Sequence, residues 1–406
     1  MAKQIKVVIG STFGDEGKGL MTDYFCHQLS QNGRVLNIRH NGGAQAGHTV
    51  KTSDGKRNVF SHFGAGSFNP HVDTYLAEEF ILNPILFCKE LERLQKMGVS
   101  PRVYINPNCR ITTPYDMLIN QIVERNRGEQ RHGSCGLGIN ETVVRYQEMG
   151  AECAPLVAGK VLSAPVERIA SYIRTHWVPK RLMALGVTHL ELKDMDLILS
   201  DNIIDNWASQ LRDMMSYCYG ADSSLMQNYD GVVFEGAQGI LLDTDNEAFA
   251  PHLTSSRTGS QNPKDIIVKN MLHDSAEIEF CYVTRTYFTR HGAGDFPSEC
   301  EKSDILTDEI VDKTNSTNQF QGALRYGYFD EELFWSACLS DAHYLRDVFS
   351  NAKHSIAVTH MDETVGRLMT RKPRYPEPIT LMQEPITRIY KGGGETRECV
   401  SVLAEA

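Results

Sequence analysis

The alternation of apolar runs and amphipathic segments along the chain predicts an α/β fold. Residues 5–9 (IKVVI) form a short β-branched run that ends at Gly10, which is typical of a buried strand. A helix is predicted from Gly17 onward, because apolar residues recur there at helical spacing, and residues 34–38 (RVLNI) predict the next strand. A strand–loop–helix–strand unit of this kind is how α/β sheets begin.

The same pattern continues along the chain without a repeat, a low-complexity segment or a Pro/Ser-rich linker. Further strands are predicted at residues 102–105, 231–234, 278–283 and 355–359. Further helices are predicted at residues 83–97, 114–127, 166–185, 205–217 and 331–349. We therefore expect one large α/β domain over residues 1–406, with long functional loops, rather than separate modules.

Composition and charge narrow the classes of function. The net charge of −10 and the lack of a basic stripe argue against nucleic-acid binding, although a local positive pocket could still bind a small anion. The 10 cysteines are scattered and form no C-x-x-C, which argues against a zinc site and favours a reducing compartment. Neither a signal-peptide pattern nor an apolar run of membrane-spanning length is present, so we expect a cytoplasmic protein that binds no membrane.

The first glycine-rich loop, GSTFGDEGKG at residues 10–19, resembles a phosphate loop but carries the acids Asp15 and Glu16. It does not match G-x-x-x-x-G-K-[ST], and Lys18 supplies its positive charge. Three glycines let backbone N–H groups approach a phosphate: Gly14, Gly17 and Gly19. Because Mg²⁺ prefers carboxylates together with phosphate oxygens, Asp15 is interpreted as a metal ligand. The alternative is an acidic first helical turn that favours the helix dipole.

Three more glycine-rich loops border predicted strands, at residues 41–49, 133–138 and 235–239. In the loop NGGAQAGHT, His48 has no apolar neighbours that would bury it. A lone histidine is more often structural than catalytic. In this setting His48 is interpreted as a cation or donor directed at a transferring phosphoryl group.

The ordered set GDEGKG at residues 14–19, G-x-x-A-G-H-T at 43–49 and EGAQG-x-L-L-D at 235–243 resembles adenylosuccinate synthetase. TSS at residues 254–256 and GAGDFP at 292–297 add later matches. The resemblance implies a P-loop-NTPase-like α/β fold around one mostly parallel mixed sheet, and usually a homodimer. It also implies a purine-biosynthesis ligase that uses GTP and Mg²⁺ to join L-aspartate to C6 of inosine monophosphate (IMP), through a 6-phosphoryl intermediate.

The resemblance also assigns roles to residues. It implies that Asp15 is the general base at N1 and a Mg²⁺ ligand, that His48 is the acid, and that Lys18 is the phosphate lysine. Gly47 would give its carbonyl to Mg²⁺. Positions assigned to GTP are Gly14, Glu16, Gly17, Gly19, Thr49, Thr359, Asp362, Lys391, Gly392 and Gly393. Positions assigned to the purine nucleotide or to aspartate are Gln45, Ser134, Cys135, Arg145, Gln238, Thr254, Thr317 and Arg325.

Two of these assignments carry a specific expectation. Asp362 would accept the N1 and 2-amino hydrogens of guanine, which adenine does not present in that pattern. Arg145 would be an arginine lent across the dimer interface.

Three departures from the family pattern keep alternatives open. Gln45 stands where the family commonly has Asn, Cys135 replaces a Thr, and Arg325 is the only arginine in residues 316–330, the segment expected to bind aspartate. One alternative is the same chemistry on dGMP, as in a phage-associated branch that makes a 2-aminoadenine precursor. Another is a GTP-binding regulatory paralogue without ligase activity. A dehydrogenase-like domain is disfavoured, because no G-x-G-x-x-G follows the first strand.

Overall fold

The computed structural model describes residues 2–310, 322–371 and 375–406. The strands in chain order are β1 (Gln4–Gly10), β2 (Val35–Arg39), β3 (His48–Lys51), β4 (Arg57–Phe60), β5 (Val72–Leu76), β6 (Val103–Ile105), β7 (Tyr219–Gly220), β8 (Gly231–Gly239), β9 (Glu277–Arg285), β10 (Phe288–Arg290), β11 (Glu299–Cys300), β12 (Arg325–Gly327), β13 (Lys353–Thr359), β14 (Ile386–Gly392) and β15 (Val400–Glu405). The α-helices are α1 (Lys18–Ser30), α2 (Pro84–Lys96), α3 (Pro114–Arg127), α4 (Ile139–Met149), α5 (Ala158–Val161), α6 (Val166–Tyr172), α7 (Val178–Ala184), α8 (Leu192–Leu199), α9 (Asp201–Tyr217), α10 (Gln261–Lys269) and α11 (Glu331–Leu345).

Within the described residues, ten strands form one sheet in the order β15-β14-β13-β9-β1-β8-β2-β5-β6-β7. Every neighbouring pair is parallel except β14 and β15, which are antiparallel. The sheet is therefore mixed and mostly parallel, as the resemblance implied. Two small antiparallel sheets, β10-β12-β11 and β3-β4, lie outside it.

Apolar side chains cover both faces of the central strands. Ile5 and Val7 of β1 belong to a core cluster shared with Phe334 of α11, whereas Val8 packs with Phe25 of α1. Parallel strands buried on both faces are apolar at nearly every position, which is why residues 5–9 lack alternation. Because β1, β2, β8, β9 and β13 run parallel, the loops after their carboxyl ends meet at one edge of the sheet.

Most of the predicted elements are confirmed. The predicted helix at residues 114–127 coincides with α3. Thr113 and Asp116 form a capping box at its start, and Pro114 is its first helical residue. The predicted helix at 166–185 is α6 and α7 joined by a π-helical segment, Ile173–Trp177. The single-domain boundary at residues 1–406 stays a prediction.

Several strands, including β3, β4, β5 and β14, were not predicted, and β5 shows the reason. Its sequence VDTYL is buried at every position, but it includes Asp73. That carboxylate is bound by Arg34 and Tyr229, which come from distant parts of the chain. Local hydrophobicity therefore underestimates the burial of this strand.

Among the described residues, none of the helices combines the length and the apolar composition that a membrane crossing requires.

Candidate active site

A cavity of about 770 Å³ opens where the loops after β1, β2, β8, β9 and β13 meet. The connection between α3 and α4 and residues 394–395 complete its wall. The predicted site residues that line it are Gly14, Asp15, Glu16, Gly17, Lys18, Gly19, Gln45, Gly47, His48, Thr49, Ser134, Cys135, Gln238, Thr254 and Asp362. All four glycine-rich loops therefore contribute to one cavity.

Asp15 is held at both its main chain and its side chain. Its φ of 59° lies in the left-handed region, and Arg285 donates to its carbonyl oxygen at 2.5 Å. The imidazole Nε2 of His291 lies 3.1 Å from Oδ2 of the Asp15 carboxylate. Burial alone raises the pKa of this carboxyl, but His291, Arg285 and Lys18 outweigh that effect and hold the pKa at about 2. Asp15 is therefore ionised at neutral pH.

Glu16 points into its own loop instead of toward a ligand. Its carboxylate accepts hydrogen bonds from the backbone N–H groups of Thr12 and Gly14 at 3.0 and 2.9 Å, and from Lys18 Nζ at 2.5 Å. These are donors of the type that bind a phosphate in other such loops. The Glu16 side chain therefore shapes the loop and pairs with Lys18, and its predicted contact with GTP stays a prediction.

His48 begins β3, and Glu235 in the middle of β8 orients its ring. The Nδ1 atom of His48 contacts the Glu235 carboxylate, which also accepts a hydrogen bond from the Ala65 N–H at 3.0 Å. Burial lowers the pKa of His48, and Glu235 opposes that shift. Arg39 lies 3.8 Å from Glu235, and with His48 it holds the pKa of the carboxyl at about 2 despite burial, which raises it. This arrangement leaves Nε2 as the ring nitrogen available to a ligand.

Sequence reasoning did not identify Glu235 as a site residue, although it noted the EGAQG loop for Gln238. The signal in the sequence was that Glu235 directly follows the predicted apolar strand at residues 231–234. Such a carboxylate needs a buried partner.

The connection between α3 and α4 is the predicted phosphate loop, and α3 holds it in place. Glu124 accepts hydrogen bonds from the N–H groups of Gly133 and Ser134 at 2.8 and 3.3 Å and pairs with Arg127 at 3.0 Å. Asn120 donates to the Ser134 hydroxyl at 2.8 Å. Arg127 and His132 line the cavity here, and sequence reasoning missed both residues. Burial raises the pKa of the Cys135 thiol to about 11, so the thiol is uncharged at neutral pH.

Gln45 lies against the backbone of Gly42 and Gly43 at the cavity wall. Within the described residues, neither polar atom of its buried amide has a hydrogen-bond partner. Since buried amides are normally paired, the group is suited to binding a ligand.

The predicted GTP positions beyond residue 350 fall into two groups: one residue lines the cavity, and the others lie outside its lining. Asp362 is exposed at the cavity, whereas the Thr359 hydroxyl donates to the Glu16 carbonyl at 2.7 Å from beneath the loop. Lys391 and Gly392 belong to β14 and, like Gly393, do not line the cavity. The neighbouring Gly394 and Glu395 do line it, so the C-terminal loop contributes slightly later than predicted.

Arg145, the residue expected to be lent across a dimer interface, binds groups of its own chain, and its role at such an interface stays a prediction. This residue of α4 is fully buried, and its guanidinium binds Asp116 through two bonds of 2.8 and 2.9 Å. It also donates to the Ile111 carbonyl at 2.8 Å. A buried guanidinium requires such compensation, and here it ties α4 to α3.

Arg325, the residue expected to grip aspartate, does not line the cavity, and its contact with aspartate stays a prediction. It binds the Glu299 carboxylate at 2.7 and 2.5 Å and donates to the carbonyls of Gly292 and Gly294 at 3.1 and 2.9 Å. It therefore braces the loop at residues 292–294. Thr317 lies outside the described residues, so its role stays a prediction.

Comparison with known proteins tests the resemblance. The family model described as adenylosuccinate synthetase matches residues 7–359. The chain belongs to the adenylosuccinate synthetase family. The expectation that it is a ligase of this family is confirmed.

Relatives of this chain carry the same family name. The adenylosuccinate synthetase of Legionella pneumophila strain Paris is 27% identical over 376 residues, covering 90% of this chain and 78% of the relative. That of Limosilactobacillus reuteri is 29% identical over 334 residues, covering 80% and 71%. That of Gloeothece citriformis is 30% identical over 335 residues, covering 80% and 68%.

Two solved structures share the fold. Fully ligated adenylosuccinate synthetase from Plasmodium falciparum matches with a TM-score of 0.66 and 18% identity, covering 99% of this chain and 100% of that chain. Succinoaminodeoxyadenylate synthetase of cyanophage S-2L, bound to dGMP and to dATP as an energy donor, matches with a TM-score of 0.60 and 15% identity, covering 99% and 96%.

Proposed function

We propose that the protein uses GTP and Mg²⁺ to join L-aspartate to C6 of a purine nucleotide, with IMP as the acceptor and adenylosuccinate as the product. One observation carries the proposal. A single cavity brings together a carboxylate, Asp15, and an imidazole, His48, each held in place by separate buried partners. Together the two groups supply the base and the acid that this chemistry needs.

Asp15 accepts the N1 proton of the purine, which makes the 6-oxygen nucleophilic toward the γ-phosphate of GTP. Nε2 of His48 donates to an oxygen of the transferring phosphoryl group, where negative charge develops. The 6-phosphoryl oxygen then leaves as phosphate when the amine of aspartate attacks C6. Glu235 keeps the His48 ring in the orientation that this donation requires.

The residues present fit Mg²⁺, which takes oxygen ligands. Asp15 is ionised, and Gly47 is exposed at the same cavity, where its carbonyl would be a second ligand. Within the described part of the chain, no group of three or more His, Cys, Asp or Glu could hold a metal ion, so a cation here would share phosphate oxygens. When bound, the ion would neutralise charge on the phosphates.

The remaining cavity residues divide between the two nucleotides. The N-terminus of α1 at Gly17–Gly19 and the carboxylate of Asp362 would bind GTP. The amides of Gln45 and Gln238 and the hydroxyls of Ser134 and Thr254 would bind the acceptor. We also propose that the protein is a cytoplasmic homodimer.

The identity of the acceptor nucleotide is the part of the proposal that has an alternative, because a guanine nucleotide could take the place of IMP. Gln45 and Cys135 depart from the family pattern, which favours testing dGMP and GMP beside IMP. The regulatory alternative is not favoured, because the groups needed for turnover lie together in the cavity.

A phosphate-release assay tests the proposal. Purified protein is supplied with GTP, Mg²⁺ and L-aspartate, with IMP, GMP or dGMP in separate reactions, and the product mass is determined. We expect phosphate release that requires both acceptor and aspartate, and a product heavier than the acceptor by aspartate less water. The Asp15→Asn variant is the matched control and should release no phosphate above background. Absence of turnover with all three acceptors would overturn the proposal.

A further inference from the structure

Residues 285–291, which run from the last residue of β9 through β10, hold the loop that carries Asp15 at several points. Arg285 donates to the Asp15 carbonyl at 2.5 Å, and the Thr289 hydroxyl donates to the Gly14 carbonyl at 3.4 Å. The His291 ring approaches the Asp15 carboxylate at 3.1 Å. Asp15 needs such support, because its φ of 59° is uncommon for a residue with a side chain.

A chain of hydrogen bonds leads from the same arginine to Glu363, in the loop after β13. Arg285 Nη1 donates to the Tyr287 hydroxyl at 2.8 Å, and that hydroxyl donates to Oε2 of Glu363 at 2.6 Å. Tyr287 is 1% exposed and Arg285 is 6% exposed. All three side chains line the cavity. The hydroxyl thus accepts from the guanidinium and donates to the carboxylate, so it connects the two groups.

The far end of the path is next to the proposed guanine-binding residue. Glu363 follows Asp362 directly and donates its backbone N–H to the His360 carbonyl at 3.2 Å, which closes a turn. The Thr286 hydroxyl donates to the same carbonyl at 3.3 Å. Met361 N–H donates to the Gly392 carbonyl at 3.1 Å. A ligand that restrains Asp362 therefore restrains Glu363 as well.

We propose that Arg285, Tyr287 and Glu363 are positioning residues that couple occupation of the GTP site to the placement of Asp15 for the acceptor nucleotide. The inference rests on the proposed function, because it takes Asp362 as the guanine contact and Asp15 as the acceptor contact. A guanine bound to Asp362 orders the turn, and the ordered Glu363 holds the Tyr287 hydroxyl. That hydroxyl then keeps Arg285 against the Asp15 carbonyl. The acceptor meets a base that is already placed, so it binds more tightly when the GTP site is occupied.

Isothermal titration measures this coupling without requiring turnover. The dissociation constant of IMP is determined with and without saturating β,γ-imido-GTP and Mg²⁺, and GMP is titrated in the same way. For the unmodified protein we expect the GTP analogue to tighten acceptor binding by about 5- to 150-fold, the usual range for coupled sites. Titration in the reverse order should give the same factor, because binding coupling is reciprocal.

The Tyr287→Phe variant breaks the path while keeping the buried ring. It should reduce the coupling factor to within about twofold of one, and the affinity for the analogue alone should change little. Tyr328→Phe is the matched control. This substitution also removes one hydroxyl from the hydrophobic cluster that contains Tyr287, but Tyr328 does not line the cavity. It should keep the full factor.

Substitutions at Glu363 test the same coupling without changing a fully buried side chain. Glu363→Gln keeps an oxygen that accepts from the Tyr287 hydroxyl and should retain most of the coupling, whereas Glu363→Ala should abolish it. A factor of one in the unmodified protein, or an unchanged factor in Tyr287→Phe or Glu363→Ala, would overturn the inference. If the nucleotides bind but no phosphate is released, the proposed function fails and the dissociation constants still decide the coupling.

Discussion

Replacing Glu235 with glutamine tests the arrangement that orients His48. The carboxylate of Glu235 is fully buried, and it contacts Nδ1 of His48, the N–H of Ala65 and the guanidinium of Arg39. Glutamine keeps the size and one acceptor oxygen, but it removes the negative charge. The variant therefore separates the effect of the charge from the effect of packing.

The expected loss of stability follows from the pKa of this carboxyl. Burial raises the pKa of this carboxyl, but Arg39, His48 and the hydrogen bond from the Ala65 N–H outweigh burial and lower the pKa from 4.5 to about 2. A tenfold change in the acid dissociation constant corresponds to ~1.4 kcal/mol, so the ionised form contributes on the order of 3 kcal/mol to folding at neutral pH. Because the folded-state pKa is the lower one, this contribution is present above the unfolded-state pKa and is lost as the pH falls toward about 2.

The expected loss of activity follows from His48. Without the Glu235 charge, nothing opposes the burial that lowers the pKa of the imidazole, and the ring is less well oriented. We expect kcat to fall by at least ~10²-fold at neutral pH, as when a preorganised charged group is lost. The fall should be smaller at pH 6 than at pH 8, because more of the imidazole is protonated at the lower pH.

The assays are urea unfolding between pH 2 and 8 and phosphate release between pH 6 and 8. Glu279→Gln is the matched control, because Glu279 is a buried β9 carboxylate, bound by Lys6 at 2.6 Å, that does not line the cavity. It should lose stability but keep kcat. If Glu235→Gln keeps the kcat of the unmodified protein, then Glu235 does not orient a catalytic His48 and the reasoning is refuted.

Three further outcomes follow from the structure. Arg145→Met should lower the free energy of unfolding by about 3–5 kcal/mol in urea, because the buried Asp116 loses its opposite charge. An arginine lent to a partner subunit would instead raise the KM for the acceptor with little loss of stability. Gly17→Ala should raise the KM for GTP at least tenfold, because Gly17 has a φ of 93° and a Cβ there would lie 2.9 Å from the Thr359 side chain; an unchanged KM would contradict the loop geometry. A chelator should stop phosphate release without changing the thermal midpoint of the nucleotide-free protein, and a lowered midpoint would indicate a metal that stabilises the fold.

The proposed catalytic pair was accessible to sequence reasoning because its signal is local. Asp15 and His48 each lie in a glycine-rich loop directly after a predicted strand, and both line the cavity. Sequence reasoning did not foresee the partners of charged side chains when those partners are far away in sequence. Arg325 was assigned to aspartate because it is the only arginine in its segment, but it is bound to Glu299, 26 residues earlier.

The sequence by itself determined the α/β class, the loops at the strand ends and the family, because hydrophobic periodicity and ordered glycine motifs are read along the chain. Only the tertiary structure decided which charges face the cavity. Glu16 turns inward, Arg145 binds Asp116, and Glu235 reaches His48 across 187 positions. The physical reason is that a buried charge must find an opposite charge or hydrogen-bond donors. Which partner it finds depends on how elements pack, and local sequence does not encode that directly.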